Sequence, residues 1–262
     1  MRRTSVENGT GAGAAAGAGE EPKAAARRAR PVIAIDGPAG AGKSTLAAHL
    51  ARRFGFLNLE TGAMYRALAL KAIENDLSFD EEHELLDLAG DTRIALQPQM
   101  EGNLVLLDDV DVSRRVRDTD VTAAASRVSV HPKLRQWMVE QQRTLGAKGG
   151  VVMEGRDIGT VVFPDAEVKI FLDAAPEVRG NRRYRQGVPA QAAVTEEAII
   201  EELKERDARD RNRTESPLRA AEDAVILDST TMSLEQVLAA AEEIVRTHLE
   251  AGSRAQGSVS RA

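Results

Sequence analysis

Apolar and polar residues alternate in blocks along the middle of the chain. Short continuous apolar runs, typical of buried parallel strands, occur at Val32–Ile35, Val151–Met153, Val168–Leu172 and Val225–Leu227. Between them apolar residues recur at helical spacing, which predicts helices over Gly42–Arg53, Thr61–Glu74 and Leu234–Leu249. Ser233, with Gln236 three residues on, predicts a cap for the last helix. The pattern predicts an α/β fold with a parallel sheet flanked by helices.

One section, from about residue 77 to 117, breaks this rhythm. Ile94–Leu96 and Leu104–Leu107 flank Gly102-Asn103, which reads as a hairpin turn, and Asp111-Val112 predicts a further strand. We therefore expect a small antiparallel insertion in an otherwise parallel fold. Such insertions usually hold substrate.

The two ends differ in composition from the middle. Residues 1–30 are rich in Ala, Gly and Glu and have no apolar segment like that of a signal peptide. Residues 251–262 are similarly poor in apolar side chains. Because neither end can bury enough apolar surface to offset chain entropy, we expect two disordered tails around one domain at 31–250.

Composition excludes several classes of function. Of the 262 residues 42% are hydrophobic, which is enough for a sizeable core, but aromatic residues make up only 3%. The net charge of −6 and the few aromatics argue against nucleic acid and membrane surfaces as partners. There is no cysteine and no apolar run of about 20 residues that could span a bilayer. We expect a monomer in the cytoplasm.

The stretch from Gly37 to Ser44 fits the phosphate-loop pattern G-x-x-x-x-G-K-[ST] and lies between a predicted strand and a predicted helix. Backbone N–H groups in such a loop surround phosphates at the positive end of a helix dipole. Lys43 would reach the terminal phosphates and the Ser44 hydroxyl would bind Mg²⁺. The motif predicts a nucleoside triphosphate ligand. It leaves open a GTPase switch, a mechanical ATPase or a small-molecule kinase, although no Asn-Lys-x-Asp guanine motif is present.

Three clusters containing arginine follow the loop. They are Thr61–Arg66, Glu154–Thr160 directly after a predicted strand, and Arg206–Arg213 in a helical pattern. Alone, each is typical of a solvated surface. Phosphoryl transfer, however, needs several fixed cations around the migrating group, and arginines from three segments would supply them. The combination favours a small-molecule kinase.

The chain resembles the bacterial cytidylate kinases, a family of nucleoside monophosphate kinases, from about Pro31 to Leu249. The resemblance rests on Ile35–Ser44, Thr61–Arg66, Gly155–Ala166, Arg206–Arg213 and Leu227–Thr231. Members of this family transfer the γ-phosphoryl group of ATP to CMP or dCMP with Mg²⁺. Thr61 stands where serine is frequent in the family, and Glu154 where aspartate is frequent.

For the donor, the resemblance implies that ATP is held by Gly37, Pro38, Ala39, Gly40, Ala41, Gly42, Lys43, Ser44 and Thr45. Arg182 would pack on the adenine, and Ser44 and Glu154 would hold Mg²⁺. Lys43, Arg156, Arg206 and Arg213 would be the catalytic cations. A mobile lid is expected at about residues 182–213.

For the acceptor, the resemblance implies that Arg66 and Arg156 hold the phosphate of CMP, with Thr61 and Tyr65 beside it. Guanidinium groups suit this phosphate because they bind it through two parallel hydrogen bonds. Cytosine would be recognised by Asp157, Ser126 and Arg135, and the sugar by Arg206 and Asp210. Arg213 would contact either the acceptor or the migrating phosphoryl group.

Two alternatives remain beside this hypothesis. The chain could be a related kinase for another nucleotide or for a sugar, or a nucleotide-binding regulatory protein with a degenerate site. The preference between CMP and dCMP is open.

Overall fold

The computed structural model describes residues 28, 30–99, 102–187 and 195–259, with side chains as far as 251. The strands are β1 Val32–Asp36, β2 Leu57–Glu60, β3 Ile94–Gln99, β4 Gly102–Leu107, β5 Val110–Asp111, β6 Val151–Gly155, β7 Val168–Asp173 and β8 Val225–Asp228. The helices are α1 Lys43–Phe54, α2 Thr61–Glu74, α3 Glu82–Gly90, α4 Thr119–Val128, α5 Pro132–Gly146, α6 Pro176–Gly187, α7 Glu196–Asn212 and α8 Leu234–Val259.

The main sheet has five parallel strands in the order β2-β6-β1-β7-β8, which confirms the predicted α/β class. All four strands predicted from apolar runs are present, and β2 is the one that the pattern missed. Its sequence, Leu57-Asn58-Leu59-Glu60, is too short and too polar to stand out, and only Leu59 is fully buried. The carboxyl ends of β2, β6 and β1 lie side by side, where the ligand crevice of an open α/β sheet forms.

Helices cover both faces of this sheet. On one face α1 and α8 pack against the side chains of β1 and β7, including Ile33, Ile35 and Leu172. On the other face α2, α4 and α5 form the larger core around Leu68 and Met138. The sheet is therefore buried on both sides, which is why its strands read as continuous apolar runs rather than alternating ones.

The antiparallel insertion is a three-stranded sheet, β3-β4-β5. The predicted turn at Gly102-Asn103 is wrong, because both residues belong to β4 and pair with Gln99 and Pro98. The connection lies at residues 100–101, outside the described residues. Asn103 is used structurally: its amide group donates to the Asn58 carbonyl at 2.8 Å and accepts from the Glu60 N–H at 3.1 Å. A strand residue thus fastens the insertion to β2.

Three helices, α3, α4 and α5, were not predicted. α3 precedes β3, whereas α4 and α5 lie between the insertion and β6. The signal for α5 was present in the sequence, since Pro132 is its first residue and proline is favoured there. α4 and α5 contribute Ser126 and Arg135 to the cavity beside the glycine loop.

The last helix confirms its predicted cap and corrects its predicted end. Ser233 Oγ accepts from the Gln236 N–H, and the Gln236 side chain accepts from the Ser233 N–H, at 3.3 and 2.8 Å. The backbone stays helical to Val259, whereas residues 251–262 were expected to be disordered. Alanine, arginine and glutamine in this stretch favour helix, and no proline ends it. Residues 260–262 lie outside the described residues.

The expected boundary of the amino-terminal tail is also too late. Arg28 donates to both carboxylate oxygens of Asp165 at 2.7 and 2.8 Å and lies over the Phe163 ring. Arg30 lies over the Phe56 ring. Paired and stacked guanidinium groups therefore join the end of this tail to the domain. Residues 1–27 and 29 lie outside the described residues. Within the described part of the chain, no helix is long and apolar enough to cross a membrane.

Candidate active site

The glycine loop connects β1 to α1 with three glycines at positive φ: Gly37 at 150°, Gly40 at 75° and Gly42 at 98°. A Cβ on Gly37 would lie 2.0 Å from the Leu172 carbonyl oxygen, so only glycine fits against β7. Gly42 is the residue before α1 and has no side-chain cap, which leaves the amino end of this helix facing the cavity. The loop has the form that its sequence predicts.

Lys43 begins α1 and is buried. Its ammonium group donates to the Pro38 carbonyl oxygen at 2.7 Å, across the mouth of the loop. Burial, followed by the nearby Arg156 cation, lowers the pKa of Lys43 well below its usual range. An anion in the loop would therefore be a strongly favoured partner for this side chain.

Two carboxylates stand at the carboxyl ends of β2 and β6. Glu60 and Glu154 are register partners on these parallel strands. Ser44 Oγ donates to Glu154 Oε2 at 3.0 Å, while Glu154 Oε1 is buried and has no hydrogen-bond partner within the described part of the chain. Burial and then the charge of Glu60 raise the pKa of Glu154 to about 7. The oxygens of Ser44 and Glu154 are the hard donors that Mg²⁺ prefers, and the partnerless Oε1 fits such an ion.

A donor cavity of about 770 Å³ lies over this loop. The predicted donor residues that line it are Gly40, Ala41, Gly42, Lys43, Ser44, Thr45 and Arg182. Ala39 lines the neighbouring cavity, Gly37 packs against β7, and Pro38 supplies the carbonyl for Lys43. Arg182 donates to Ser229 Oγ and to the Ser229 carbonyl, at 3.1 and 2.8 Å. It forms one wall with apolar residues of α8.

An adjoining acceptor cavity of about 210 Å³ brings together every residue predicted for the acceptor. They come from α2, α4, α5, the segment after β6, and the end of α7: Thr61, Tyr65, Arg66, Ser126, Arg135, Arg156, Asp157, Arg206, Asp210 and Arg213. Thr61 Oγ1 donates to the Glu154 carbonyl oxygen at 2.7 Å, so its hydroxyl also joins α2 to β6. Residues as far apart in sequence as Thr61 and Arg213 thus line one cavity.

One end of the acceptor cavity is crowded with cations. Arg156 Nε donates to Asp210 Oδ2 at 2.9 Å, and Arg213 Nη1 lies 3.5 Å from Asp210 Oδ1. Although burial alone would raise the pKa of Asp210, the neighbouring guanidinium groups lower it overall. Burial and then the charge of Arg156 lower the pKa of Arg206 to about 10. Asp157 also acts on Arg213, yet Asp157 and Asp210 together carry less charge than the surrounding arginines, and this excess of positive charge favours an anionic ligand.

The other end is a mixed set of donors and acceptors. Arg135 Nη2 donates to Asp157 Oδ2 at 2.5 Å, and its guanidinium lies over the Tyr65 ring. Several polar atoms here are buried with no partner among the described residues, including Ser126 Oγ, Arg135 Nε and Tyr65 Oη. Burial, the largest influence, raises the pKa of Tyr65 to about 12. Native proteins rarely leave so many buried polar atoms unpaired, so this cluster points to a polar ligand.

The segment that carries Arg156 and Asp157 is held by a residue of the first strand. Asp36 accepts hydrogen bonds from the N–H groups of Ile158 and Gly159 at 2.8 and 2.7 Å, at the start of a π-helical turn, Ile158–Val162. Burial raises the pKa of Asp36 to about 6, despite these two hydrogen bonds. Such π-turns are frequent at functional sites. This one, held by Asp36, fixes the backbone position of the residue before it, Asp157.

Pattern reasoning missed two site residues. Glu60 lines both cavities and forms an ion pair with Arg66, the predicted phosphate ligand. A signal existed, because Glu60 directly precedes the Thr61–Arg66 cluster. Arg183 also lines both cavities, and its place in α6 next to Arg182 gave no distinguishing signal.

A parallel α/β sheet, a phosphate loop and a cluster of arginines in the adjoining cavity define a P-loop small-molecule kinase. The family model for cytidylate kinase matches residues 33–247. The chain belongs to the cytidylate kinase family.

Individual relatives agree over nearly their whole length. Cytidylate kinase of Aeromonas salmonicida is 47% identical over 80% of this chain and 91% of its own. Cytidylate kinase of Geobacter sp. strain M21 is 44% identical over 85% of this chain and 96% of its own. That of Carboxydothermus hydrogenoformans is 46% identical over 81% and 96%. The resemblance that the motifs indicated is confirmed.

Proposed function

We propose that this chain transfers the γ-phosphoryl group of ATP to CMP or dCMP, giving ADP and CDP or dCDP. The observation that carries the proposal is the acceptor cavity. It combines polar atoms of Ser126, Arg135 and Tyr65 that lack a partner among the described residues with the guanidinium groups of Arg66, Arg156, Arg206 and Arg213. A pyrimidine monophosphate has the complementary arrangement, with a polar base edge at one end and a dianion at the other.

ATP would occupy the donor cavity with its phosphates on the glycine loop. Lys43 would exchange the Pro38 carbonyl for phosphate oxygens. Arg182 and the apolar side chains of α8 would cover the adenine. Ser44 and Glu154 would hold Mg²⁺, which when bound screens the charge of the β- and γ-phosphates.

The acceptor phosphate would bind Arg66 and Arg156. These side chains form ion pairs with Glu60 and Asp210, so the dianion would compete with an internal carboxylate for each one. The phosphate offers each guanidinium two oxygens in a plane, and its double charge favours the exchange.

Cytosine would be distinguished from uracil at Asp157. Its carboxylate accepts a hydrogen bond from the cytosine amino group, whereas uracil would present a carbonyl oxygen there. Ser126 and Arg135 would donate to the remaining acceptors of the base. Two facing acceptors in a buried site cost about 1–3 kcal/mol, so we expect a preference for cytosine of about 5- to 150-fold.

The reaction needs positioning and charge neutralisation rather than a general base. The attacking atom is a phosphate oxygen of CMP, which is already ionised. It bonds to the γ-phosphorus of ATP while the bond to the bridging oxygen breaks, and ADP leaves with that oxygen. Lys43 lines both cavities, and Arg156, Arg206 and Arg213 line the acceptor cavity. Together these cations would neutralise the spreading charge.

The segment of about residues 182–213 would act as the lid. α6 and α7 carry arginines over both cavities, and they pack so closely that a Cβ on Gly180 would lie 2.2 Å from Ile200 Cγ1. Their movement as a pair would exclude water from the transferring phosphoryl group.

A single chain supplies every residue of this site, and we propose that the enzyme works as a monomer in the cytoplasm, where its nucleotides are found. Sedimentation velocity at micromolar concentrations, with and without CMP, tests the oligomeric state. A dimer that forms only on adding CMP would contradict the proposal.

A coupled assay of ADP release with CMP, dCMP, UMP and AMP as acceptors tests the function. We expect CMP and dCMP to be used and AMP to be ignored. Equal turnover of AMP and CMP would refute the acceptor assignment. Lys43→Ala should abolish transfer while CMP still binds, and retained activity in that variant would contradict the role of the loop.

A further inference from the structure

Arg179 is a fully buried arginine that no part of the proposed reaction uses. It lies in α6 with 1% of its surface exposed, and each of its three nitrogens is bound. Nε donates to the Ala174 carbonyl oxygen at 2.8 Å, Nη1 to the Ala39 carbonyl oxygen at 2.7 Å, and Nη2 to Asp207 Oδ2 at 2.5 Å.

These three acceptors belong to three different parts of the site. Ala174 follows β7, Ala39 belongs to the glycine loop, and Asp207 is on α7 next to Arg206. Only a planar guanidinium can donate in three fixed directions at once, since a lysine ammonium is a point charge on a flexible stem. One side chain therefore joins the donor loop, the sheet and the arginine-bearing helix.

The glycine loop needs such an external donor. In a phosphate loop the N–H groups face the ligand, so the carbonyl groups face away from it and require partners elsewhere. The Ala39 carbonyl finds its partner in Arg179 rather than in the loop itself. The next residue, Gly40, packs on the same two helices, since a Cβ there would lie 3.4 Å from Arg179 Cβ and 3.7 Å from Leu203 Cδ1.

We infer that the Arg179–Asp207 ion pair is a positioning device, which sets the glycine loop and the arginines of α7 at a fixed distance for phosphoryl transfer. This inference rests on the proposed function. Arg206, adjacent to Asp207, and Lys43, at the end of the loop, line the same cavity, and both would face the γ-phosphoryl group there. The two cations serve one migrating group, so their relative position decides how well it is stabilised.

A purely structural role predicts a different result. Replacing a buried ion pair by apolar residues of similar volume is often neutral or even stabilising for the fold. An apolar pair at 179 and 207 would therefore preserve folding but remove the directed hydrogen bonds to the loop. If the ion pair serves only packing, such a variant would keep its activity.

The test compares the double variant Arg179→Met/Asp207→Leu, the conservative Arg179→Lys and the wild-type full-length enzyme. The control is Glu177→Gln, because Glu177 and Lys204 form the exposed ion pair between the same two helices, at 3.2 Å. For each protein, kcat, KM for CMP and KM for ATP are measured with saturating Mg²⁺, beside the equilibrium Kd for CMP and the thermal unfolding midpoint.

We expect kcat of the double variant to fall by about 30- to 100-fold, the loss typical of a misplacement of about 1 Å. The Kd for CMP should change by less than kcat does, because Arg66, Arg156 and Asp157, which line the acceptor cavity from outside α7, still hold the phosphate and the base. Arg179→Lys should lie between the double variant and the wild type, and Glu177→Gln should match the wild type.

A double variant that unfolds at the wild-type temperature and keeps its kcat within about threefold would overturn the inference. So would a loss that Glu177→Gln shares. If the double variant does not fold, Arg179→Lys alone decides, since its kcat must fall without a matching loss of CMP affinity. A wild-type enzyme that ignores CMP would refute the proposed acceptor instead, and the variants would then be compared with the acceptor that it uses.

Discussion

Asp157→Asn should reverse the preference of the enzyme between CMP and UMP. Asp157 Oδ2 is bound to Arg135, and 7% of the Asp157 side chain is exposed. An asparagine oxygen would keep the bond to Arg135 and leave its NH₂ group facing the base. The cytosine amino group, itself a donor, would then face another donor. The O4 carbonyl of uracil, which faces an acceptor in the wild type, would face a donor instead.

The expected magnitude follows from one exchanged hydrogen bond in a buried site. A mismatched polar pair there costs about 1–3 kcal/mol, and a matched one contributes about 0.5–1.5 kcal/mol. Loss for CMP and gain for UMP together change the ratio of kcat/KM by at least about 1.5 kcal/mol, which is about tenfold or more. Stability should also fall, because Arg135, with 3% of its side chain exposed, loses its charged partner.

Initial rates with CMP and UMP at equal ATP give both values of kcat/KM, and thermal unfolding monitors the folded fraction. Asp157→Ala is the matched control, because it removes the acceptor without offering a donor. It should lower the use of CMP by more than tenfold without improving UMP. A CMP/UMP ratio that is the same in Asp157→Asn and the wild type would refute the assignment of Asp157 to the base.

Three further predictions concern stability as well as function. Ser126→Ala removes a buried hydroxyl that has no partner among the residues that the structure describes. It should lower kcat/KM for CMP by about tenfold, while the free energy of unfolding in urea stays equal or rises by about 1 kcal/mol. A loss of stability would mean that this hydroxyl has a partner in the folded protein. Asp36 has a pKa of about 6 in the folded state against 3.8 in the unfolded state, so the folded state holds this proton more tightly. The resulting contribution to stability, about 3 kcal/mol, should be present below pH 4 and lost as the pH rises to 6. The free energy of unfolding of the wild type minus that of Asp36→Asn, measured in urea from pH 4 to 7, should therefore fall by about 3 kcal/mol. A difference that stays constant over this range would refute the raised pKa of Asp36. Arg28→Ala should lower the free energy of unfolding by about 1 kcal/mol through its contacts with Asp165 and Phe163, with kcat and KM unchanged; altered kinetics would mean that the tail acts on the site.

The parts of the fold that the sequence predicts are those determined locally. The glycine loop is readable because positive φ at Gly40 and Gly42 demands glycine, and the buried strands are readable because both faces need apolar side chains. The hairpin turn was misplaced because Gly102 and Asn103 have turn propensity, yet Asn103 is used in the strand to bond Asn58 and Glu60. That role depends on β2, which lies more than forty residues away and leaves no local trace.

The same distinction applies to the site. Most residues predicted for the acceptor belong to a motif such as Thr61–Arg66, whereas Ser126 and Arg135 belong to none and were predicted from the resemblance alone. Arg179 belongs to no recognisable spacing: it is one of several arginines in α6, and what distinguishes it from Arg182 and Arg183 is burial under the glycine loop. Burial is a property of the assembled fold, so no pattern within twenty residues of Arg179 could have indicated it.

The site shows how an enzyme can hold many cations close together. Lys43, Arg66 and Arg156 each have an internal acceptor: the Pro38 carbonyl, Glu60 and Asp210. A buried cation without a partner would cost several kcal/mol, so these contacts stabilise the cluster. These contacts also limit the affinity for phosphate. Phosphate binding replaces one acceptor of each cation by another, so only the difference in free energy between the two contacts contributes. A kinase must release two phosphorylated products in every cycle, and a site that replaces its ligands with its own carboxylates can bind phosphate selectively without retaining it.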